Sequence, residues 1–140
     1  MILVDSTPLV ALCDPLDALH ATAVRDLDRL ARELFVVSDG VLTEALHLLG
    51  AASQRARLAR LLDALPIGVL PDERPAESRR AAFEWVARYA EHRPDWADAT
   101  LVIATARLKK ARVWTYDREF RVVWRRPDGT KVPVVPTARG

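Results

Sequence analysis

The 140-residue sequence has little that would indicate a disulfide-stapled, zinc-binding or membrane protein. Cys13 is the only cysteine, which excludes an internal disulfide and a cysteine-rich zinc site, and we expect it to be a small core residue. No apolar run approaches the roughly 18 residues of a membrane-spanning helix. The N-terminus lacks the basic and long apolar segments of a signal peptide. We therefore expect a cytoplasmic protein without a membrane segment.

The excess of positive charge is also small. The chain has 21 basic and 19 acidic residues, and a net charge of +2 does not by itself predict nucleic-acid binding. The charges are unevenly distributed, because residues 107–140 contain ten basic and three acidic residues, whereas residues 1–106 contain eleven and sixteen. An acid-rich body with a basic C-terminal quarter suits an anionic partner.

The order of apolar segments predicts an α/β fold. Half of the residues are hydrophobic, enough for one sizeable core, so we expect a single domain over residues 1–140. Short apolar runs alternate with stretches of helical period, which is typical of a parallel sheet covered by helices. The predicted strands are 2–4, 35–37, 67–70 and 113–115, and the predicted helices are 16–34, 40–49, 54–65, 76–90 and 96–108.

The C-terminal segment differs from this alternation. Two short apolar runs between residues 122 and 135 flank Pro127-Asp128-Gly129, a combination that favours a turn. We predict a short hairpin there, as an extension over residues 122–140. Its arginines, with Trp124 among them, suit the backbone and bases of RNA. A solvated sheet edge protected by charge explains them nearly as well. The candidate RNA-binding residues are Arg118, Arg121, Arg125 and Arg126.

Two acidic residues follow the first two predicted strands. Asp5 comes directly after the first strand, where open parallel sheets place their ligands, although Asp5, Ser6 or Thr7 could simply cap a helix with Pro8 at its first position. Glu44 lies in the first turns of the helix after the second strand. Taken alone, a solvated helix carboxylate is the commoner explanation for it.

Three more acidic residues lie late in the chain. Asp95 and Asp98 are three residues apart at a helix start, a spacing that puts both on one face and that a capping box also explains. Asp117 follows the fourth strand and is another plausible cap. His47 lies one turn after Glu44, but no second histidine or cysteine accompanies it, so we do not expect a zinc site.

All of these carboxylates emerge at corresponding strand ends or helix starts. A parallel sheet would gather them at one edge, where they repel one another unless a cation neutralises them. Hard oxygen ligands suit Mg²⁺ or Mn²⁺ rather than zinc. Such ions activate water for attack on a phosphodiester. The pattern therefore predicts a metal-dependent phosphodiesterase site.

Four segments resemble, in order, the acidic motifs of PIN domains: residues 2–12 (ILVDSTPLVAL), 42–46 (LTEAL), 95–106 (DWADATLVIATA) and 115–120 (TYDREF). The resemblance spans residues 1 to about 123. Each motif is weak alone, but the ordered set is specific. The runs VLTEAL and ADATLV are particularly similar to bacterial VapC-type toxins.

The resemblance implies a three-layer α/β/α fold and Mg²⁺- or Mn²⁺-dependent endoribonuclease activity, in a toxin that an antitoxin protein inhibits and that forms a homodimer. Asp5, Glu44 and Asp98 would be the central acidic triad, Asp117 a fourth catalytic carboxylate and Asp95 an outer metal ligand. Ser6 and Thr115 match positions of supporting hydroxyls. The alternatives are a PIN nuclease in RNA processing and a PIN module that binds RNA or protein without cleaving.

Overall fold

The computed structural model describes residues 1–136, whose strands form one parallel sheet. The strands are β1 (Ile2–Val4), β2 (Phe35–Val37), β3 (Gly68–Val69), β4 (Arg112–Trp114) and β5 (Val134–Val135). The helices are α1 (Ser6–Cys13), α2 (His20–Leu30), α3 (Asp39–Leu48), α4 (Ala52–Ala64), α5 (Pro75–Arg88), α6 (Trp96–Arg107) and α7 (Glu119–Val122). A 3₁₀ turn, Ala90–His92, follows α5. Within the described residues no helix is long and apolar enough to cross a membrane.

The sheet has the strand order β3-β2-β1-β4-β5, with β1 at its centre. Leu3 of β1 is in register with Val36 of β2 on one side and with Val113 of β4 on the other. Every residue of β1 and β2 is buried, so both faces of the sheet are covered, as parallel sheets require. Helices flank the sheet in the three-layer α/β/α arrangement that the sequence predicts.

The side of β1 on which the chain adds strands changes between β3 and β4. From β1 the chain moves outward to β2 and β3, and then returns to the other side of β1 as β4. Open α/β sheets bind ligands outside the carboxyl ends of the strands at such a switch point. We therefore expect a ligand of this fold to bind where β1 and β4 end.

The helix α2 is shorter than its apolar pattern indicated. The predicted helix began near residue 16, whereas α2 begins at His20. The carboxylates of Asp14 and Asp17 each accept a hydrogen bond from the backbone N–H two residues later, which favours turns over helix. Leu16 consequently lies outside α2 and is 94% exposed.

The predicted C-terminal hairpin is reduced to a single pair. Its turn is present, with Gly129 at a φ of 84° and an antiparallel bridge between Arg125 and Lys131. The chain then continues to Val134–Val135, which pairs in parallel with β4 as a fifth strand of the sheet instead of pairing within the predicted hairpin. The valines add apolar surface to the sheet edge, which explains the difference. Residues 137–140 of the predicted extension lie outside the described residues.

An aromatic cluster attaches the C-terminal segment to α5. Trp85 of α5 and Tyr89, which directly follows α5, contact Trp124 with ring centroids 5.1 and 5.3 Å from its ring. The Trp85 indole N–H donates a hydrogen bond to the backbone carbonyl of Arg125, at 2.8 Å. Trp85 and Trp124 are fully buried.

We expect Trp85→Ala to lower the free energy of unfolding by about 3–5 kcal/mol, because it leaves a large cavity and removes the partner of the Arg125 carbonyl. Urea denaturation followed by circular dichroism measures this loss. Val69→Ala is the control, since Val69 is 77% exposed. A Trp85→Ala protein as stable as the control would show that the cluster does not hold the segment.

Candidate active site

Asp5 lies at the switch point, directly after β1. Its side chain is 3% exposed, and its Oδ2 accepts a 2.7 Å hydrogen bond from the Thr115 hydroxyl, which follows β4. Asp5 occupies the N-cap position of α1 but makes no side-chain capping hydrogen bond. Its carboxylate is thus held by Thr115 on the neighbouring strand rather than by a capping hydrogen bond to α1.

Thr7 is a second hydroxyl at this point, which we had interpreted only as a possible cap. Its Oγ1 lies 3.3 Å from Asp5 Oδ2 and 3.3 Å from Thr115 Oγ1, and accepts the backbone N–H of Tyr116 at 2.9 Å. The only sequence signal for this role of Thr7 is that two hydroxyl residues, Ser6 and Thr7, directly follow Asp5. Because α1 begins at Ser6, Pro8 is the third helical residue rather than the first.

Glu44 reaches the same region from α3. Its Oε2 accepts a 2.7 Å hydrogen bond from the hydroxyl of Ser6, which is 2% exposed. Since Ser6 is the neighbour of Asp5, this bond brings the carboxylates that follow β1 and β2 together, as the sequence predicted.

Asp95 and Asp98 form a capping box at the start of α6. The backbone N–H of Asp98 donates to Asp95 Oδ1 at 2.8 Å, and that of Asp95 donates to Asp98 Oδ2 at 3.2 Å. The simpler interpretation of this pair is therefore confirmed. The capping role does not remove Asp98 from the site, because its pKa is affected by the charges of Asp5 and Asp117.

Asp117 begins the turn into α7. Its Oδ1 accepts the backbone N–H of Glu119 at 2.9 Å, and its own N–H donates to Thr115 Oγ1, also at 2.9 Å. The Thr115 hydroxyl thus links Asp5 to Asp117. The structure places both at the carboxyl ends of β1 and β4.

Burial and mutual repulsion raise the pKa values of three carboxyl groups. Loss of solvation raises the pKa of Asp5 to about 6, against the hydrogen bond from Thr115, and the charges of Asp117 and Asp95 raise it further. Loss of solvation and the nearby Asp95 raise the pKa of Glu44 to about 7. Loss of solvation followed by the charge of Asp95 raises that of Asp98 to about 8. The five acidic residues therefore form one electrostatic unit.

The carboxylates are close but do not converge on one point. Among residues 1–136, no three acidic, histidine or cysteine side chains are arranged to hold a metal ion. Each of three carboxylates has one oxygen directed to a donor of the protein itself. Asp5 accepts from Thr115, Glu44 accepts from Ser6, and Asp98 accepts from the backbone N–H of Asp95. The arrangement is an acidic, oxygen-only cluster rather than an assembled metal site.

The C-terminal arginines divide into two groups. Arg126 donates hydrogen bonds to Thr130 and to the backbone carbonyl of Thr105, and it lines a cavity with Met1 and Arg112, which lie at the starts of β1 and β4. Because α6 is about 18 Å long, Arg126 lies far from its acidic start. The basic charge of the C-terminal segment predicts a phosphate-binding surface beside the acidic residues, but Arg126 does not lie there.

Arg118 and Arg121 follow Asp117 and lie nearer to the site. The Arg121 guanidinium donates to the carbonyls of Thr115 and Pro136, at 3.4 and 2.7 Å, and so joins the ends of β4 and β5. Arg118 is exposed, and no hydrogen bond or ion pair involves its side chain within residues 1–136. Arg118 is therefore available to an external anion, whereas Arg121 has a structural role.

Comparisons with known proteins agree with this architecture. The family model for the PIN domain matches residues 2–125, a range that contains all five carboxylates. The chain is similar to a solved structure of VapC20 from Mycobacterium tuberculosis, described as a sarcin-ricin loop cleaving toxin. The two are 27% identical with a TM-score of 0.64, over 85% of this chain and 92% of that chain. The search of curated proteins found no match.

The raised pKa values predict how stability depends on pH without divalent cations. The pKa values of about 6, 7 and 8 in the folded state exceed those of the unfolded chain, which lie near 4. Between about pH 4 and pH 8 the folded state therefore binds more protons than the unfolded state. The free energy of unfolding contributed by Asp5, Glu44 and Asp98 therefore falls as the pH rises from about 4 to 8.

Asp98→Asn should isolate this effect, because an amide keeps the capping geometry but cannot ionise. We expect the variant to be more stable than the wild type by about 1–3 kcal/mol at pH 8 in EDTA, with the difference shrinking toward pH 4. Urea denaturation at several pH values measures it. Asp63→Asn, at an exposed position of α4, is the matched control. A wild-type advantage at pH 8 would contradict the clustering of charges.

Proposed function

Because this chain belongs to the PIN domain family, we propose that it is a VapC-type toxin that cleaves RNA phosphodiester bonds as a metal-dependent endoribonuclease. The observation that carries this proposal is the gathering of five carboxylates at the switch point of the sheet, where burial and neighbouring charges raise the pKa values of Asp5, Glu44 and Asp98. The likeness to VapC20, an RNA-cleaving toxin by its description, supports the same activity and substrate class.

The donor chemistry fits Mg²⁺ or Mn²⁺. The side chains are oxygen donors that lose solvation and repel one another, so a hard divalent cation would relieve both costs. We propose that Asp5, Glu44 and Asp98 hold the cation, with Asp117 as a fourth carboxylate and Asp95 as an outer contributor. When bound, the cation would supply an activated water and would stabilise charge on the phosphate in in-line attack.

The neighbouring residues orient these carboxylates and contact the substrate. Ser6 and Thr115 each donate a hydrogen bond to one carboxylate oxygen, of Glu44 and Asp5 respectively, and so orient these two side chains. Arg118 is suited to a phosphate next to the scissile bond. We place phosphate contact at Arg118 ahead of Arg121, Arg125 and Arg126, because Arg118 directly follows Asp117, is exposed and has no side-chain partner within residues 1–136.

A toxin of this class would act on cytoplasmic RNA and would need a partner that restrains it. We therefore propose a cognate antitoxin protein and a homodimer as its assemblies. We also propose one domain over residues 1–140, since the described core residues form a single cluster. The second candidate is a PIN nuclease of RNA processing, which a neighbouring gene for a small DNA-binding antitoxin would exclude. The presence of all the carboxylates argues against a module that only binds.

We expect Asp98→Asn to abolish RNA cleavage, with a loss of at least about 100-fold, because it removes a charge with little change in shape. Cleavage of a labelled RNA with Mn²⁺ present measures the rate, and circular dichroism checks the fold. The conservative Asp63→Asn variant should keep wild-type activity. Full activity in Asp98→Asn would refute the assignment of the site.

Asp5→Asn and Glu44→Gln should each reduce cleavage as Asp98→Asn does. If the three residues hold one metal centre, the losses should be strongly non-additive, so that a double variant is little worse than either single variant. Single-turnover rates measure this. Losses that multiply would mean that the carboxylates act separately.

Removal of divalent cations by EDTA should stop cleavage, and Mg²⁺ or Mn²⁺ should restore it. A cation that binds only the folded state should also raise the melting temperature. Differential scanning calorimetry with increasing Mn²⁺ measures this shift, which should be absent in Asp98→Asn. Cleavage that survives EDTA, or a melting temperature unchanged by saturating Mn²⁺, would contradict the metal-dependent mechanism.

A further inference from the structure

A pair of exposed aromatic rings lies beside the acidic site. Trp96 is the first residue of α6, between Asp95 and Asp98 in sequence, and its ring centroid lies 5.0 Å from that of Phe83 on α5. The two residues are 40% and 62% exposed. Aromatic residues at helical spacing usually pack in a core or an interface, but within residues 1–136 the ring of Trp96 is only partly covered.

Neighbouring residues on α3 and α5 hold the Trp96 ring beside the acidic site. Gly40, in the first turn of α3, faces the ring so closely that a Cβ at that position would lie 3.3 Å from Trp96 Cδ1. The absence of a side chain at Gly40 therefore lets the indole lie against α3 while Phe83 contacts it from α5. The other three tryptophans are at most 2% exposed, so Trp96 is the tryptophan that solvent and ligands can reach.

Trp96 also lines a groove of about 1130 Å³ between the start of α3 and the facing sides of α5 and α6. Two of the groove's arginines have acidic partners, because Arg107 lies within 3.7 Å of Asp72 and Arg74 within 3.5 Å of Glu77. The walls therefore offer hydrogen-bonding groups with little unbalanced positive charge. Such a groove suits a planar, uncharged base better than a row of phosphates.

We propose that Trp96, supported by Phe83, stacks an unpaired base of the RNA, close to the nucleotide whose phosphate lies at the acidic cluster. This inference rests on the proposed function and names its substrate class more closely. Every base has a π-face, so stacking on an indole is tolerant of sequence but requires an unstacked, unpaired nucleotide. The enzyme would therefore select single-stranded or looped RNA over a continuous duplex.

The surroundings favour a base over a second copy of the chain. A protein interface at this place would have to bury the charged walls of the groove as well as the two rings, whereas a base needs only the ring and a few polar groups. Trp96 is also only two residues from Asp98 in the first turn of α6, so a base stacked on it would lie close to the acidic residues.

Intrinsic fluorescence tests the proposal without catalysis. In EDTA, a short unpaired 2′-O-methyl RNA should quench the emission of the wild type by contact with Trp96, whereas a duplex of the same strand should quench it far less. Trp96→Leu should abolish the quenching and weaken binding by about 5- to 150-fold, the range expected for one stacked base. Trp96→Phe should bind within a few-fold of the wild type, which also controls for a folding defect.

Leu34→Ala is the matched control, since Leu34 is 58% exposed but lies at the opposite, amino-terminal edge of the sheet. Equal RNA affinity in Trp96→Leu and wild type would overturn the proposal. So would a change from dimer to monomer by light scattering with unchanged RNA affinity, which would make the pair a protein interface. If either result is found while the wild type cleaves RNA, only the stacking proposal is wrong. If the wild type neither binds nor cleaves RNA, the proposed function itself is wrong.

Discussion

Like charges are held together at one edge of the sheet, and the packing of the whole chain must oppose their repulsion. The parallel register of β1 with β4 fixes Asp5 beside Thr115, and helices α3 and α6 bring Glu44 and Asp98 to the same place. Each carboxylate costs solvation when it approaches the others. The buried strands and the covering helices supply the free energy that holds them there, so core and site cannot be treated as separate parts of the molecule.

The hydrogen bonds of the site show how the same side chains both cap helices and form the acidic cluster. Asp95 and Asp98 satisfy backbone N–H groups that the start of α6 would otherwise leave without partners, and Asp117 does the same before α7. The Thr115 hydroxyl donates to the Asp5 carboxylate and accepts from the backbone N–H of Asp117, so one hydroxyl holds both residues at the site. A capping explanation and a catalytic explanation are therefore compatible for these residues.

The sequence predicted the parts of this structure that depend on periodicity and chain order. The strands at 2–4 and 35–37 have the predicted bounds, and the carboxylates reach one edge because they follow parallel strands. Three features were not predictable in this way. The turns at Asp14 and Asp17 shorten α2, the role of Thr7 depends on a contact 109 residues away in sequence, and the last strand joins β4 because of pairing geometry. Each depends on local turn chemistry or on distant contacts, which an apolar pattern does not record.

The two outermost strands, β3 and β5, are each only two residues long. An edge strand with a long row of free N–H and C=O groups is a template on which another chain can add a strand, and very short edges remove most of that template. The central strands, in contrast, have both sides paired within the sheet. The architecture therefore leaves little free edge on which the apolar, parallel sheet could form intermolecular β-structure.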